Sequence, residues 1–190
     1  MPMPRVKGSI TNGTNIDRDP TDFYATPVPF TLAMLDRVNI PDPCWDPGAG
    51  DGAIIDALKC HGLKACGTDI VPRRDDIREH DFLAQAPDQE FRSIIMNPPF
   101  KLMVEFIVRA LDLTDTVACV MPISGLNSSK RYQAIWQPHP PSRILLSGRY
   151  QHIRTARGVV PSQFSHVWVV WQPGRERTEF EWLPDVVYKD

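Results

Sequence analysis

Short apolar runs alternate along this chain with longer stretches that have the apolar period of an α-helix. Turn residues bound these runs, and we predict strands at residues 44–46, 64–70, 93–97, 116–121, 143–147 and 167–171, with a short one near 80–82. Such alternation is typical of a domain in which helices connect the strands of a mostly parallel sheet. The sequence therefore predicts an α/β fold.

Apolar residues recur at helical spacing in three of the connecting stretches. The first helix is predicted to begin at Pro27, because proline is favoured at the first helical position, and Thr26 is its predicted N-terminal cap. The second helix is predicted over residues 53–58 and the third over residues 103–111. A weaker helical pattern extends over residues 125–136.

Length and composition favour one globular domain. The chain has 190 residues, of which 42% are hydrophobic and 23% are charged. No apolar run approaches the length of a membrane helix, about 20 residues. The first 20 residues are polar and lack the apolar core of a secretory signal. We therefore expect a flexible arm at residues 1–20 and a single domain at residues 21–190, in the cytoplasm.

The four cysteines give no sign of a metal site. None has the C-x-x-C spacing or a histidine partner at the spacing of zinc ligands. In a reducing compartment such residues usually serve as small buried side chains. We expect reduced cysteines and no bound metal.

Positive charge is concentrated in the second half of the chain. The net charge is −2, which by itself argues against a nucleic-acid partner, yet residues 116–175 contain seven Lys or Arg and no Asp or Glu. A segment of this kind can follow a phosphate backbone. The alternative is an ordinary solvated loop that is rich in arginine. The candidate substrate-binding residues in it are Lys130, Arg131, Arg154 and Arg157.

A glycine-rich loop, DPGAGDG, follows the first predicted strand and opens a helix. Its candidate cofactor-binding residues are Asp46, Pro47, Gly48, Gly50 and Gly52. The spacing is GxGxG, whereas dinucleotide-binding proteins have GxGxxG, and the two aspartates of the loop are unsuited to a pyrophosphate. A cofactor with a cationic amino acid portion and a sulfonium would suit the loop better. A plain tight turn is the structural alternative.

Two further acids are predicted at strand ends. Asp69 ends the second strand and is placed to bond both hydroxyls of a ribose, with Ile70 beside it. Asp81 ends the short third strand, next to Phe82, and could accept a hydrogen bond from an adenine amino group. Together with the glycine loop, these residues favour a cofactor that contains adenosine.

Residues 94–100, IIMNPPF, begin as a buried strand and end in two prolines and an aromatic ring. Pro98 and Pro99 cannot extend a hydrogen-bonded strand or enter a helix interior. The strand therefore ends by presenting the Asn97 amide, rigid carbonyl groups and the flat face of Phe100. Folding alone does not require this combination, although a rigid turn that covers a sheet edge would use it.

These motifs resemble those of the class I S-adenosylmethionine-dependent methyltransferases, and among them the enzymes that methylate N6 of adenine in DNA. DPGAGDG is similar to their glycine-rich motif, Asp69 to their ribose-binding acid and Asp81 to the residue beside the adenine of the cofactor. The order of motifs is that of the gamma group. The resemblance covers about residues 20–172. It implies a Rossmann-like fold, with a mostly parallel seven-stranded sheet, an antiparallel last strand and helices on both faces.

NPPF matches the (D/N)PP(Y/F/W) signature of this family, which methylates amino nitrogens attached to a π-system. The resemblance implies that the Asn97 side-chain oxygen and the Pro98 carbonyl accept the two N–H groups of the amine. Pro99 keeps the backbone rigid, and Phe100 offers a face on which the base stacks. Orientation and stabilisation of positive charge then drive methyl transfer without a strong general base.

The resemblance extends to two flanking segments. Tyr24, Ala25 and Thr26, in DFYATP, are similar to the segment that closes over the methionine end of the cofactor. Phe164 resembles an aromatic residue that helps to hold a flipped base, or it is a core residue.

As a whole, the resemblance implies an S-adenosylmethionine-dependent DNA adenine methyltransferase of phage or bacterial type. In one respect the chain departs from the family, since it has no segment long enough for a separate target-recognition domain. One alternative is an RNA methyltransferase that acts on adenine N6 or guanine N2. Further alternatives are a glutamine N5-methyltransferase and a non-catalytic module that binds the cofactor or nucleic acid.

Overall fold

A computed structural model of the chain describes residues 23–147, 152–155, 158–161, 165–174 and 176–184. Several predicted features lie outside the described residues: the arm at 1–20, Arg157, Phe164 and the side chain of Arg154. None of the helices within the described ranges is long and apolar enough to cross a membrane.

The elements alternate between strand and helix, as the sequence predicts. The strands are β1 (Cys44–Asp46), β2 (Ala65–Asp69), β3 (Ile77–Glu79), β4 (Ser93–Met96), β5 (Val117–Pro122), β6 (Arg143–Leu146), β7 (His152–Thr155), β8 (Gly158–Pro161), β9 (His166–Trp171) and β10 (Glu179–Trp182). The longer helices are α1 (Val28–Leu35), α2 (Ala53–Cys60) and α3 (Met103–Leu113). After β5 come a 3₁₀ turn (Ile123–Leu126), an α-helical turn (Ser129–Arg131) and a π-helical turn (Tyr132–Trp136).

Eight strands form one sheet in the order β10-β6-β9-β5-β4-β1-β2-β3, and β7 and β8 form a separate hairpin. β9 is antiparallel to both of its neighbours, while the other pairs in the sheet are parallel. The predicted Rossmann-like fold is thus confirmed, and β9 is its predicted antiparallel strand. The sheet has one strand more than predicted, because β10 pairs with β6 at the edge. Its sequence, EFEW, is largely exposed and so carries no buried apolar run.

Two local predictions were wrong. The short strand expected near residues 80–82 lies earlier, at Ile77–Glu79, because the register with β2 ends at the pair Asp69 and Glu79. Only Ile77 of that strand is buried, so no apolar run marks it. Thr26 does not cap α1. Instead Pro27 occupies the capping position, and its carbonyl accepts hydrogen bonds from the first turn of the helix.

Side chains alternate along the central strands between two apolar layers. On one side, Val120 and Trp168 pack with α1 and α2. On the other side, Cys119 and Val169 pack with α3. The Trp168 indole also donates a hydrogen bond of 3.2 Å to the carbonyl of Phe30, which ties α1 to the sheet. Helices therefore cover both faces, and the carboxyl ends of the parallel strands are left open at one edge.

Gly67 in β2 allows the glycine loop and α2 to approach the sheet closely. A Cβ atom at this position would lie 2.6 Å from the Cβ of Ala49 and would also strike the side chain of Ile55. Non-bonded carbon atoms do not approach each other this closely in folded proteins, so the backbone that carries Ala49 would have to move.

We expect Gly67→Ala to lower the free energy of unfolding by about 1–3 kcal/mol, because it overpacks a filled site. The measurement is urea denaturation. Gly125→Ala is the matched control, since the atoms nearest to a Cβ there all belong to the Met121 side chain, at 3.2 Å or more. Equal losses in the two variants would contradict this account.

Candidate active site

A cavity of about 240 Å³ lies at the carboxyl ends of β1, β2 and β4. β1 pairs with β2 on one side and β4 on the other, so this is the point at which the chain connections reverse direction. Ligands of open α/β sheets bind at such a point. The predicted site residues that line the cavity are Tyr24, Ala25, Thr26, Asp46, Pro47, Gly48, Gly50, Asp69, Ile70, Asp81, Phe82, Asn97 and Pro99.

Other predicted residues do not line this cavity: Gly52, Pro98, Phe100, Lys130 and Arg131. Gly52 instead packs against the guanidinium of Arg74, which bonds the carboxylates of Asp56 and Asp76 and the carbonyl of Asp51. Gly52 was predicted to contact a cofactor because it belongs to the glycine loop, but in the structure it contacts Arg74 instead.

The glycine loop is held against the end of β2 by Asp69. The two carboxylate oxygens of Asp69 accept hydrogen bonds of 2.8 Å, one from the N–H of Gly50 and one from that of Val71. Gly50 has a φ of +55°, and a Cβ there would lie 2.5 Å from the ring of Phe23. The loop therefore needs glycine at this position both for its backbone conformation and for the close packing of Phe23.

Asp46 brings a buried carboxyl group to the wall of the cavity. The residue is 1% exposed, and its Oδ1 accepts a hydrogen bond of 3.3 Å from the N–H of Gly48. Burial raises the pKa of the Asp46 carboxyl well above its ordinary range, although the Gly48 hydrogen bond lowers it, and the nearby Asp69 raises it further. A cationic group in the cavity would stabilise the ionised form.

Two buried polar atoms of the cavity wall have no hydrogen-bond partner among the described residues. They are the hydroxyl oxygen of Thr26 and the Nε2 atom of His80. Buried polar atoms are rarely left unpaired in folded proteins. Each atom therefore keeps an unused capacity for a hydrogen bond. His80 was not among the predicted residues, although it directly precedes Asp81.

Asp81 and Phe82 form the wall below β3. The Oδ1 atom of Asp81 accepts hydrogen bonds from the N–H groups of Leu83 and Ala84, at 2.9 and 3.2 Å, and so starts a turn. Phe82 is 2% exposed and packs edge-on against Trp45, with ring centroids 5.2 Å apart. This wall therefore combines an oriented carboxylate with a rigid aromatic face.

Asn97 follows β4 directly, and its side chain is fixed. The Nδ2 atom donates a hydrogen bond of 2.8 Å to the backbone carbonyl of Tyr24. Its own carbonyl lies close to the glycine loop, because a Cβ on Gly48 would be 4.0 Å from it. The backbone of the NPPF motif and the glycine loop that follows β1 are therefore direct neighbours.

The ring of Phe100 is part of an aromatic cluster beside Asn97. It stacks with the Tyr24 ring, at 5.6 Å between centroids and 12° between planes, and the His166 ring lies 6.5 Å away. Since Tyr24 covers one side of the Phe100 ring, the predicted stacking of a base on this ring would need the other face or a movement of Tyr24. His166 was not predicted, because its strand was interpreted only as sheet core.

The described basic residues of the segment 116–175 do not form one patch at the cavity. Arg143 begins β6 and therefore lies at the opposite edge of the sheet, where it pairs with Glu179 at 3.4 Å. Arg131 is half-buried and donates a hydrogen bond of 3.3 Å to the carbonyl of Gly125. Lys130 is exposed.

Eleven residues that were not predicted also line the cavity: Phe23, Ala49, Asp51, Ala53, Ile54, Val71, Arg73, His80, Leu83, Leu102 and Phe106. Several directly follow or precede predicted residues, so that proximity to the motifs is a usable signal for them. Leu102 and Phe106 reach the cavity from the start of α3, which only the fold reveals.

No protein-family profile and no curated protein sequence matches the chain. Among solved structures, it is similar to protein PH1948 of Pyrococcus horikoshii, assigned as an RNA methyltransferase, with a TM-score of 0.58 and 14% identity over 80% of this chain and 87% of that one. It is also similar to protein lmo1582 of Listeria monocytogenes, assigned as a class I S-adenosylmethionine-dependent methyltransferase, with a TM-score of 0.59 and 13% identity over 90% and 68% of the two chains. A protein of Lactococcus lactis assigned as a hemolysin has a TM-score of 0.53 and 10% identity over 82% and 91%.

At this level of identity the similarity concerns the fold alone. The chain shares the Rossmann-like fold of solved class I methyltransferases, and the same fold also occurs in a protein with a different assigned role. Function has to be argued from the site itself.

We expect Asp46→Asn to raise the melting temperature of the unliganded protein at neutral and alkaline pH. The pKa of the Asp46 carboxyl is higher in the folded than in the unfolded state. At a pH above the ordinary pKa of Asp, folding must therefore either bury a charge or take up a proton, and both lower the free energy of unfolding of the wild type. Each kcal/mol gained corresponds to about 2–4 °C in a domain of this size. The measurement is thermal unfolding as a function of pH.

The gain should shrink as the pH falls towards the ordinary pKa of Asp, because the carboxyl is then protonated in both the folded and unfolded states. Asp115→Asn, at an exposed position, is the control. A lower melting temperature for Asp46→Asn at pH values above neutrality would contradict the argument.

Proposed function

We propose that the chain transfers a methyl group from S-adenosylmethionine to the exocyclic N6 amine of adenine in DNA. The observation that carries this proposal is the position of Asn97, which directly follows β4, has its backbone carbonyl beside the glycine loop and has its side-chain amide bonded to Tyr24. Its Nδ2 atom is held by the carbonyl of Tyr24, which leaves Oδ1 as the acceptor for an amine.

The cavity offers groups that match S-adenosylmethionine. The amine of its methionine portion is a cationic donor, and the nearby acceptors are the buried Asp46 carboxyl and the unpaired hydroxyl oxygen of Thr26. Each oxygen of Asp69 accepts one backbone hydrogen bond and keeps a second lone pair for a ribose hydroxyl. Asp81 and Phe82 provide a polar edge and an apolar face for the adenine.

The proposed chemistry needs orientation more than proton transfer. When bound, the cofactor would supply a methyl group on a positively charged sulfur, and this sulfur would keep the electron pair of the broken S–C bond and leave as a neutral thioether. The Asn97 Oδ1 atom and the Pro98 carbonyl accept the two N–H groups of the target amine, which turns its lone pair out of conjugation with the ring. The same two oxygens stabilise the positive charge that develops on nitrogen. The proton leaves to water after the new C–N bond has formed, when it is acidic.

A target base reaches this site only when it is outside a duplex stack. Duplex DNA would have to expose the base by flipping, and single-stranded nucleic acid already does so. Phe100 and, in this proposal, Phe164 and His166 surround the exposed base. Lys130, Arg154 and Arg157 are the proposed phosphate contacts, which position the strand without reading its sequence.

RNA is the second candidate substrate, because one structural neighbour, PH1948, is assigned as an RNA methyltransferase. The NPPF motif suits any amine that is conjugated to a ring, so that adenine N6 and guanine N2 in RNA meet the same chemical requirement. The aromatic cluster and the fixed amide do not distinguish the two nucleic acids.

One labelling experiment tests the proposal and separates its alternatives. The protein is incubated with cofactor carrying a tritiated methyl group and with DNA, RNA or protein in separate reactions, and the labelled product is then hydrolysed and identified. Label in N6-methyladenine from DNA supports the proposal. Label that appears only in RNA or glutamine, or in no acceptor, overturns it.

We expect Asn97→Ala to lower the rate of methyl transfer at saturating cofactor by about 100-fold or more, because it removes an acceptor that acts on developing charge. The measurement is single-turnover transfer to the acceptor identified by labelling. Asn127→Ala, at an exposed position, is the control and should leave the rate unchanged. Equal transfer by wild type and Asn97→Ala would show that the proposed mechanism is wrong.

A further inference from the structure

One hydrogen bond joins the NPPF motif to the start of the described chain. The Nδ2 atom of Asn97 lies 2.8 Å from the carbonyl oxygen of Tyr24, a residue 73 positions earlier. A carbonyl oxygen can only accept, so the group that faces it must carry a hydrogen. The chemistry of Tyr24 therefore decides which end of the side chain at position 97 is left as an acceptor.

The segment that holds Asn97 also contacts both halves of the site. The Tyr24 ring stacks on Phe100, on the side of the proposed methyl acceptor. Ala25 and Thr26 line the cavity on the side of the proposed cofactor. A ligand that fixes residues 24–26 therefore also fixes the Asn97 amide and the Phe100 ring.

We propose that Tyr24 is a positioning residue, whose backbone carbonyl makes an amide obligatory at position 97 and couples the cofactor cavity to the acceptor site. The inference rests on the proposed function. The first position of the (D/N)PP(Y/F/W) signature allows aspartate or asparagine. A consequence of the coupling is that only asparagine is fully functional at position 97 of this chain. A ligand in the cavity would hold residues 24–26 in place and so stabilise the orientation that the amide has in this structure, and by reciprocity a bound acceptor would tighten the cavity.

The variant Asn97→Asp distinguishes this coupling from a contact that only supports the fold. An ionised carboxylate would place an acceptor oxygen against the Tyr24 carbonyl with no hydrogen between them, leaving both unsatisfied. A neutral carboxyl would restore the pattern, since its O–H donates to Tyr24 and its other oxygen stays an acceptor. The defect of Asn97→Asp should therefore depend on pH.

The test compares wild type with Asn97→Asp between about pH 5.5 and pH 8, the range over which such a carboxyl is expected to titrate. Binding of S-adenosylhomocysteine is measured by calorimetry, because this product lacks the sulfonium charge that a carboxylate would attract. Near pH 8 we expect binding to be weaker than in wild type by about tenfold. The ratio to wild type should recover as the pH falls, and the ratio of transfer rates should follow it.

Two variants serve as controls. Asn97→Ala removes the hydrogen bond at every pH, so its binding affinity relative to wild type should not vary with pH. Asn127→Asp adds an exposed carboxylate and should change neither the binding affinity nor the transfer rate relative to wild type. A loss in Asn97→Asp that is absent near pH 8, or that does not vary with pH, overturns the coupling. Failure of wild type to bind S-adenosylhomocysteine overturns it as well. If the pH-dependent binding defect is found but no nucleic acid is methylated, the coupling stands and the proposed function fails.

Discussion

The parallel pairing of β1 with both β2 and β4 is the constraint on which the rest of the site depends. Because β1 lies between them in register, the ends of three strands meet at one edge of the sheet. The glycine loop follows β1, Asp69 ends β2 and Asn97 follows β4, so that all three line one cavity although they are separated along the chain. Gly67 allows the loop and α2 to approach the sheet, and Asp69 then fastens the loop at Gly50.

Stability and function oppose each other in this arrangement. Burial of the Asp46 carboxyl costs stability in the empty protein, and the hydroxyl of Thr26 has no hydrogen-bond partner among the described residues. Polar groups held in this way contribute little to folding but prepare the cavity for a ligand that satisfies them. The Asn97 side chain, in contrast, is oriented by its hydrogen bond to the Tyr24 carbonyl. The proposed acceptor geometry thus rests on a contact within the protein.

The sequence predicted the fold and most residues of the cavity because both follow from local patterns. Strand ends carry the ligand contacts of an open α/β sheet, so placing Asp46, Asp69 and Asn97 at those ends also placed them together. What failed depends on tertiary contacts. β10 has no buried apolar run to mark it, and Thr26 has the side chain of a typical helix cap although Pro27 takes that position. The contact between Asn97 and Tyr24 spans 73 residues, and no local pattern could reveal it.

A crystal structure with sinefungin tests the central claim most directly, since this analogue carries an amine in place of the transferable methyl group. We expect its ribose hydroxyls on Asp69, its amino acid portion near Asp46 and Thr26, and the substituted amine in contact with the Asn97 side chain. If sinefungin binds elsewhere, or binds with that amine directed away from Asn97, the site does not join a methyl donor to an amine acceptor.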